Sequence, residues 1–338
     1  MTKNCIKVFL TSPTRDDESN KWVRGTLVGL LKSYNDCNDC HQLVNDPDLS
    51  DLIIFTDPGT LPHGLSILLN PLFIKYNHKC FIYDENDFAN YWYRAINVSG
   101  CKSLSIPSLT CGGAYVRAHS QRANPLPFPE TEDYLFSFIG AAETHPVREK
   151  LRQLYTAEGV FFDVPRSITQ TAHQTGCTKS IKILADNMNK ICQSSLFVLC
   201  PRGVGASSMR LFEVMSMGRC PVIISDEWIE PHGPNWDQCS IRIPESQVSN
   251  INDILMSKKS IARQMGQTAR LEWETWFAPN RHFETIVESC LRLYKLSNNK
   301  SFSKRKLIMT FFSFDGLKIS LRYLRNKLFH SSDAIKSA

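Results

Sequence analysis

Residues 195–226, SLFVLCPRGVGASSMRLFEVMSMGRCPVIISD, restrict the fold of this chain more than any other stretch. Leu196–Leu199 is a short apolar run rich in strand formers and reads as a buried strand. Cys200 to Gly205 then breaks it with one Pro and two Gly, leaving a loop of small residues and one fixed cation, Arg202. Ser207 or Ser208 suits an N-cap, and a helix over Met209–Met217 stops at Gly218. Pro221 blocks any continuation, and Val222–Ser225 is the next buried strand, ending at Asp226. Strand, Gly loop, helix and strand together make one half of a doubly wound α/β domain.

In such a sheet, ligands sit beyond the carboxyl ends of the strands. Gly203 and Gly205 let a phosphate approach the backbone, and the N–H groups of the helix start favour its charge. Ser207 and Ser208 add hydroxyl donors, while Arg202 or Arg210 can pair with phosphate oxygens in a fork. Glu213, in the first two turns of the helix, is placed to accept two hydroxyls of a ribose. Anion, sugar hydroxyls and apolar wall describe a nucleotide-sugar site. Two other readings stand beside it. Gly203-x-Gly205 with Asp226 at the next strand end imitates a dinucleotide fingerprint, although Ser replaces its third Gly. Arg210 and Glu213, three apart, also suit a surface ion pair on the helix.

The run CPRG-x-G-x-SS-x-R-LFE-x-M-x-x-G-x-x-PVI resembles the C-terminal signature of exostosin-type glycosyltransferases. FSFIGAAETHPVREKL (136–151) and DEWIEPHGPNWDQCSIRIPE (226–245) extend the resemblance over most of 134–250. It implies an α/β GT-B fold, two Rossmann-like domains facing each other across a cleft, with donor-binding roles for Arg202, Ser207, Ser208, Arg210 and Glu213. It also implies inverting transfer from a nucleotide-sugar donor to a glycan or lipid-linked saccharide. One general base deprotonates the acceptor hydroxyl. Helix N–H groups and Arg stabilise the leaving diphosphate in place of a metal, and no cofactor is expected. The alternatives are an NAD-dependent oxidoreductase and a non-catalytic glycan-binding relative.

The implied division is an acceptor-side domain over 1–122, a Pro-rich linker ANPLPFPETED over 123–133, a nucleotide-sugar domain over 134–298 and a basic tail over 299–338. In the first domain, strands are expected at Ile6–Leu10, Asp51–Phe55 and Lys79–Tyr83, with a helix near Trp22–Tyr34. The acidic loop Asp16-Asp17-Glu18 reads as solvated. Asp57, Asp84 and Glu85 close strands and are the candidate bases. The aromatic run Phe88–Arg94 suits either stacking on a sugar face or a half-buried helix. Asp46-Pro47-Asp48 has the letters of a metal-binding D-x-D but precedes a strand, so turn chemistry accounts for it. In the second domain, Tyr134–Gly140 and Val160–Val164 are strands and Lys179–Cys192 a helix. Thr144-His145-Pro146 caps a helix that carries Arg148 one turn in, as a phosphate ligand. Trp228, Pro231, Gly233 and Trp236 form an aromatic loop expected to wall the donor pocket. Ser240–Ile243 is a late strand, and 251–296 is mostly helical.

Residues 300–338 hold nine Lys or Arg against two Asp, so the tail carries +7 of a net +6 and the remainder is near −1. A general nucleic-acid surface is therefore not indicated. Leu317, Leu321, Leu324 and Leu328 make one helical stripe flanked by Lys318, Arg322, Arg325 and Lys327, which suits peripheral attachment to an anionic membrane. Met1–Lys7 runs straight into a strand, so neither signal peptide nor membrane anchor is expected, and the location is cytoplasmic, peripheral at the inner face of the membrane. Twelve Cys without an export signal read as thiols. Cys37-Asn-Asp-Cys40-His41 has the spacing of a haem attachment, with no second ligand suggested for haem or zinc.

Overall fold

The computed structural model describes residues 5–13, 25–36, 40–58, 65–116, 127–154, 158–167, 178–297, 302, 303, 305, 308 and 312. The strands are β1 (Lys7–Thr11), β2 (Gln42–Leu43), β3 (Leu52–Thr56), β4 (Cys80–Asp84), β5 (Ala95–Asn97), β6 (Thr110–Gly112), β7 (Tyr134–Gly140), β8 (Gly159–Asp163), β9 (Ser195–Pro201), β10 (Cys220–Ile224) and β11 (Ile241–Arg242). The helices are α1 (Gly25–Asn35), α2 (Leu65–Leu68), α3 (Pro71–Tyr76), α4 (Pro146–Gln153), α5 (Thr178–Gln193), α6 (Met209–Ser216), α7 (Trp236–Cys239), α8 (Ile251–Ser257), α9 (Ala262–Trp276) and α10 (His282–Leu296).

Two compact α/β units result, each on its own parallel sheet, which is the architecture of a GT-B fold. The first sheet runs β2-β1-β3-β4-β5-β6 and the second β11-β10-β9-β7-β8. Every pairing within them is parallel. Both have the 2-1-3-4-5 winding order, so strand order reverses between β1 and β3 in one and between β7 and β9 in the other. Ligands of such sheets bind beyond the carboxyl ends at that reversal. The sequence explains the burial: β3, β4, β9 and β10 are near-continuous apolar runs, buried at every position, as parallel strands covered on both faces require.

Unit 1 comprises 1–113, 229–232 and 282–338; unit 2 comprises 114–228 and 233–281. The expected second domain ran to 298, whereas α10 groups with the first unit. Ser33 Oγ of α1 accepts from Phe283 N at 3.0 Å, satisfying one of the helix-start donors of α10. The short return 229–232 also belongs to the first unit. Pro231 bridges Gly112, and Ile229 N donates to Gly100 O at 3.1 Å. The aromatic run 88–94 is neither helix nor exposed platform: Tyr91, Trp92 and Tyr93 are buried, and Trp92 and Tyr93 pack edge-on against Phe73. Asp46 accepts from Asp48 N at 2.9 Å and caps a single turn, as turn chemistry demands. The Leu317–Leu328 stripe and the Asp16-Asp17-Glu18 loop lie outside the described residues. Among those described, no helix is long and apolar enough to cross a membrane.

The return segment makes one glycine indispensable. A Cβ on Gly112 would stand 2.3 Å from Ile229 O and 2.5 Å from the Glu230 carbonyl carbon, both backbone atoms that cannot swing away. We expect Gly112→Ala to destabilise the protein by roughly 1–3 kcal/mol, the usual cost of overpacking. Urea denaturation of the two proteins checks this; an unchanged midpoint would show that 229–232 yields without cost.

Candidate donor site

The second sheet's reversal point is built by the loops after β7 and β9. Arg202 N donates to Ile224 O at 3.0 Å, and Ser225 Oγ to Ala206 O at 2.7 Å, so the Gly loop is tied at both ends to β10. α4 begins at Pro146, with His145 as its N-cap and Nδ1 accepting from Val147 N at 3.3 Å. Arg148 lies one residue further. Its Nε donates to Arg202 O at 2.8 Å, Nη2 to Pro201 O at 2.9 Å and Nη1 to Ala141 O at 3.3 Å, with the guanidinium 5.4 Å from the Phe138 ring. Arg148, expected as a phosphate ligand, is placed with its guanidinium joining the end of β9 to the loop after β7. A Cβ on Gly203 would come within 3.3 Å of that guanidinium, which explains a glycine there.

Arg202 points elsewhere. Its Nη1 is 4.0 Å from Glu245 Oε1, a loose ion pair, and its Nε is buried without a hydrogen-bond partner among the described residues. Glu245 is held in turn: Oε1 accepts from Asp226 N, and Asp226 Oδ1 accepts from Glu245 N, each at 3.2 Å. Burial, with Arg202 and Arg148 nearby, holds the His145 imidazole below its ordinary pKa, against the pull of Glu245. His145 and Glu245 were not singled out as ligands by sequence reasoning. The only signal was the cap at 144–146.

Gly205, Ser207 and Ser208 are all buried. Ser208 is the N-cap of α6 by backbone conformation, φ −133° and ψ 122°, yet its side chain makes no capping bond. Ser207 Oγ is buried and has no partner among the described residues. A buried hydroxyl or guanidinium N–H left unpaired costs about 1–3 kcal/mol, so such groups occur where something else pairs them. Polar donors at a helix start and at a reversal point fit an anionic, oxygen-rich ligand.

Arg210 and Glu213 form a buried pair rather than a surface one, with Nη1 2.6 Å from Oε2 and Glu213 5% exposed. Arg210 also touches Met188 Sδ. The structure thus turns Arg210 toward Glu213, whereas the Arg202 guanidinium makes the looser pair with Glu245. α6 ends at Gly218, whose φ of 73° only glycine adopts freely. Trp228, expected to wall the donor pocket, is 1% exposed and packs edge-on against Phe212 of α6 and against Trp236.

Residues 91–258, just short of half the chain, match the Exostosin GT47 domain. The chain carries an exostosin-like glycosyltransferase domain. An Exostosin-1 homolog of Caenorhabditis elegans is 29% identical over 116 residues, covering 33% of this chain and 30% of the worm protein. A probable glucuronosyltransferase of Oryza sativa subsp. japonica is 37% identical over 67 residues, 19% of this chain and 16% of its own. The chain thus spans less than a third of the length of these relatives. Among solved structures, that of Anabaena Alr3699/HepE in complex with UDP aligns with 85% of this chain and all of its own, at 8% identity and a TM-score of 0.45.

The candidate bases precede the exostosin-like domain in sequence. Asp57, at the end of β3, has φ 49°, and its carboxylate accepts from Leu27 N at 3.0 Å, Thr26 N at 3.4 Å and Thr56 Oγ1 at 3.1 Å. It caps the start of α1, a structural task. Asp84 is wholly buried: Oδ1 accepts from Asn86 N at 3.0 Å and Asn86 Nδ2 at 2.7 Å, and Oδ2 from Asn90 Nδ2 at 2.6 Å. Burial outweighs these bonds and pushes its pKa up to about 7. Glu85 alone of the three is not buried. A separate cluster, His41 with Glu284 and Glu288, has the letters of a metal site. His41 Nδ1 accepts from Ile6 N at 3.2 Å, however, so a neutral imidazole carries its proton on Nε2, 3.5 Å from Glu284 Oε1 and 3.6 Å from Glu288 Oε1. That proton occupies the lone pair a metal would need.

Asp84 gives a signed prediction. Its folded pKa lies above the unfolded 3.8, so the folded state binds the proton more tightly. Stability from this group is full below pH 3.8 and is lost as pH rises toward 7, by roughly 4 kcal/mol. Asp84→Asn lacks this loss, and Asn90, whose Oδ1 has no partner among the described residues, can turn its amide to pair with it. The stability of Asp84→Asn relative to the parent should therefore rise between pH 4.5 and 7.5. Urea denaturation at both values checks it; a constant difference would refute the buried, proton-retaining carboxyl.

Proposed function

We propose that the protein transfers a sugar from a nucleotide-sugar donor to a glycan or lipid-linked saccharide, with inversion and without a metal, in polysaccharide or glycoconjugate assembly. The observation that carries this reading is the pair of buried, unpartnered polar atoms, Ser207 Oγ and Arg202 Nε, at the reversal point of the second sheet. In this reading the donor diphosphate lies against the Gly203–Gly205 loop. Arg202, the hydroxyls of Ser207 and Ser208, and the N–H groups opening α6 neutralise the charge that builds on the leaving oxygen. Preorganised donors of this kind act without reorganisation as the bond breaks. Glu213, held by Arg210, accepts the ribose hydroxyls. His145, kept neutral beside Arg202, adds a hydrogen bond without a further charge.

Inversion requires one base to take the acceptor proton as the hydroxyl attacks the anomeric carbon. We assign this to the first unit, with Glu85 the candidate, since Asp57 is engaged at a helix start and Asp84 is sealed. An acceptor carried on lipid agrees with the basic tail 299–338, for which we propose a cytoplasmic, membrane-peripheral location.

Thermal-shift measurement with UDP, GDP, ADP and NAD tests the assignment. A nucleoside diphosphate should raise Tm, by linkage to the folded state. Arg202→Ala and Glu213→Gln should each weaken that ligand at least tenfold by titration calorimetry, since a buried charge-assisted contact contributes about 1.5–3 kcal/mol. Arg202→Ala should leave the unliganded Tm within a few degrees, whereas Glu213→Gln also breaks the buried pair with Arg210 and should lower it. Stabilisation by NAD alone would favour a dehydrogenase, and unchanged affinity in both variants would remove these residues from the site.

A further inference from the structure

The Cys37-Asn-Asp-Cys40-His41 segment was not absorbed by the donor site, and the first sheet brings one of its cysteines beside a distant one. β1 and β2 pair in parallel as Lys7↔Gln42 and Val8↔Leu43. Gln42 N donates to Ile6 O at 2.9 Å, which carries the register one step further, to Ile6 beside His41. The next pair outward is Cys5 beside Cys40.

The ladder stops there for a chemical reason. A parallel ladder would direct Ile6 N–H to the Cys40 carbonyl. That N–H goes to His41 Nδ1 instead, and the Cys40 carbonyl accepts the Cys5 thiol. The Cys5 sulfur therefore lies directly against the backbone of Cys40. Residues facing each other on paired strands stand about 4.8 Å apart, within the Cα separation of about 4.4–6.8 Å that a disulfide spans. Cys5 is exposed and Cys40 half-buried, whereas Cys80, Cys192, Cys200, Cys220, Cys239 and Cys290 are sealed in the two cores. Burial pushes the Cys80 and Cys239 thiols up to about 12, far from the reactive thiolate.

We propose that Cys5 and Cys40 form a reversible thiol–disulfide couple, oxidised by a low-molecular-weight disulfide of the glutathione type. One cysteine thiolate attacks the small disulfide and expels one small thiolate, leaving a mixed disulfide. The second cysteine, deprotonated, attacks the protein sulfur of that bond and expels the other. Two protein thiols thus give up two electrons and two protons, and the small disulfide becomes two thiols. The new bond ties the edge strand β2 to β1 and closes the intervening chain into a loop, which restricts the unfolded state.

The test is intact-mass and peptide analysis of the full chain after incubation with oxidised glutathione, followed by removal of the reagent. The expected product is 2 Da lighter, as one disulfide requires. The loss should persist in Cys37→Ser and vanish in Cys5→Ser and Cys40→Ser, with the peptide bearing Cys5 linked to the one bearing Cys40. Oxidation should raise Tm, and dithiothreitol should reverse both changes. A link between Cys37 and Cys40, stable mixed disulfides at Cys5 or Cys40, or no mass change while those thiols remain alkylatable would each overturn the proposal.

Discussion

The second unit depends on one guanidinium. Arg148 spreads its donors over the carbonyls of Ala141, just after β7, of Pro201, the last residue of β9, and of Arg202, just after it. Ladder partners run out at strand ends, and a side chain with several donors satisfies the carbonyls there. A planar cation with several donors does so from a single position, where Lys would reach only part of the set. The Gly loop thereby gains a fixed shape. Arg202, Gly203 and the serines that follow inherit their positions from that clamp.

The charges around the loop follow from the same division of labour. Arg148 is spent on backbone and Arg210 on Glu213, so Arg202, in only a loose pair with Glu245, is the cation least committed to the protein. Its neighbour His145 stays neutral, because burial and two arginines disfavour a further positive charge. Cations divided this way stand around the loop without excess repulsion. In the first unit, carboxylates at strand ends are spent on structure: Asp57 on the start of α1 and Asp84 on its two asparagines. Glu85 reaches the surface because it follows β4 rather than closing it.

Glycines and aromatics set the remaining packing. Gly112 lets the return segment 229–232 lie against β6, and Gly218 ends α6 so that Gly266 of α9 can press against its carbonyl, where a Cβ would stand 2.6 Å from Gly218 O. Trp228, Trp236, Phe212 and Phe277 interlock edge-on beneath α6. In the sequence, Trp228 and Trp236 of this group read as pocket walls. Their burial is a consequence of how much apolar surface such rings remove from water.

Local order was legible in the sequence because it is encoded locally. The apolar runs of β3, β4, β9 and β10, the cap before α4, and the Pro and Gly around α6 each carry their own physical signal, and the exostosin-like signature lies in one continuous stretch. Short strands such as β2, β5 and β6 were not legible, since two or three residues hold too little pattern to separate from turns. Nor could the sequence decide which arginine is spent on backbone carbonyls and which on Glu213, that α10 returns to the first unit, or that Cys5 lies beside Cys40. Those outcomes join residues 30 to 250 positions apart. They depend on which polar groups the fold leaves unpaired once the backbone bonds are made, and only the tertiary structure completes that count.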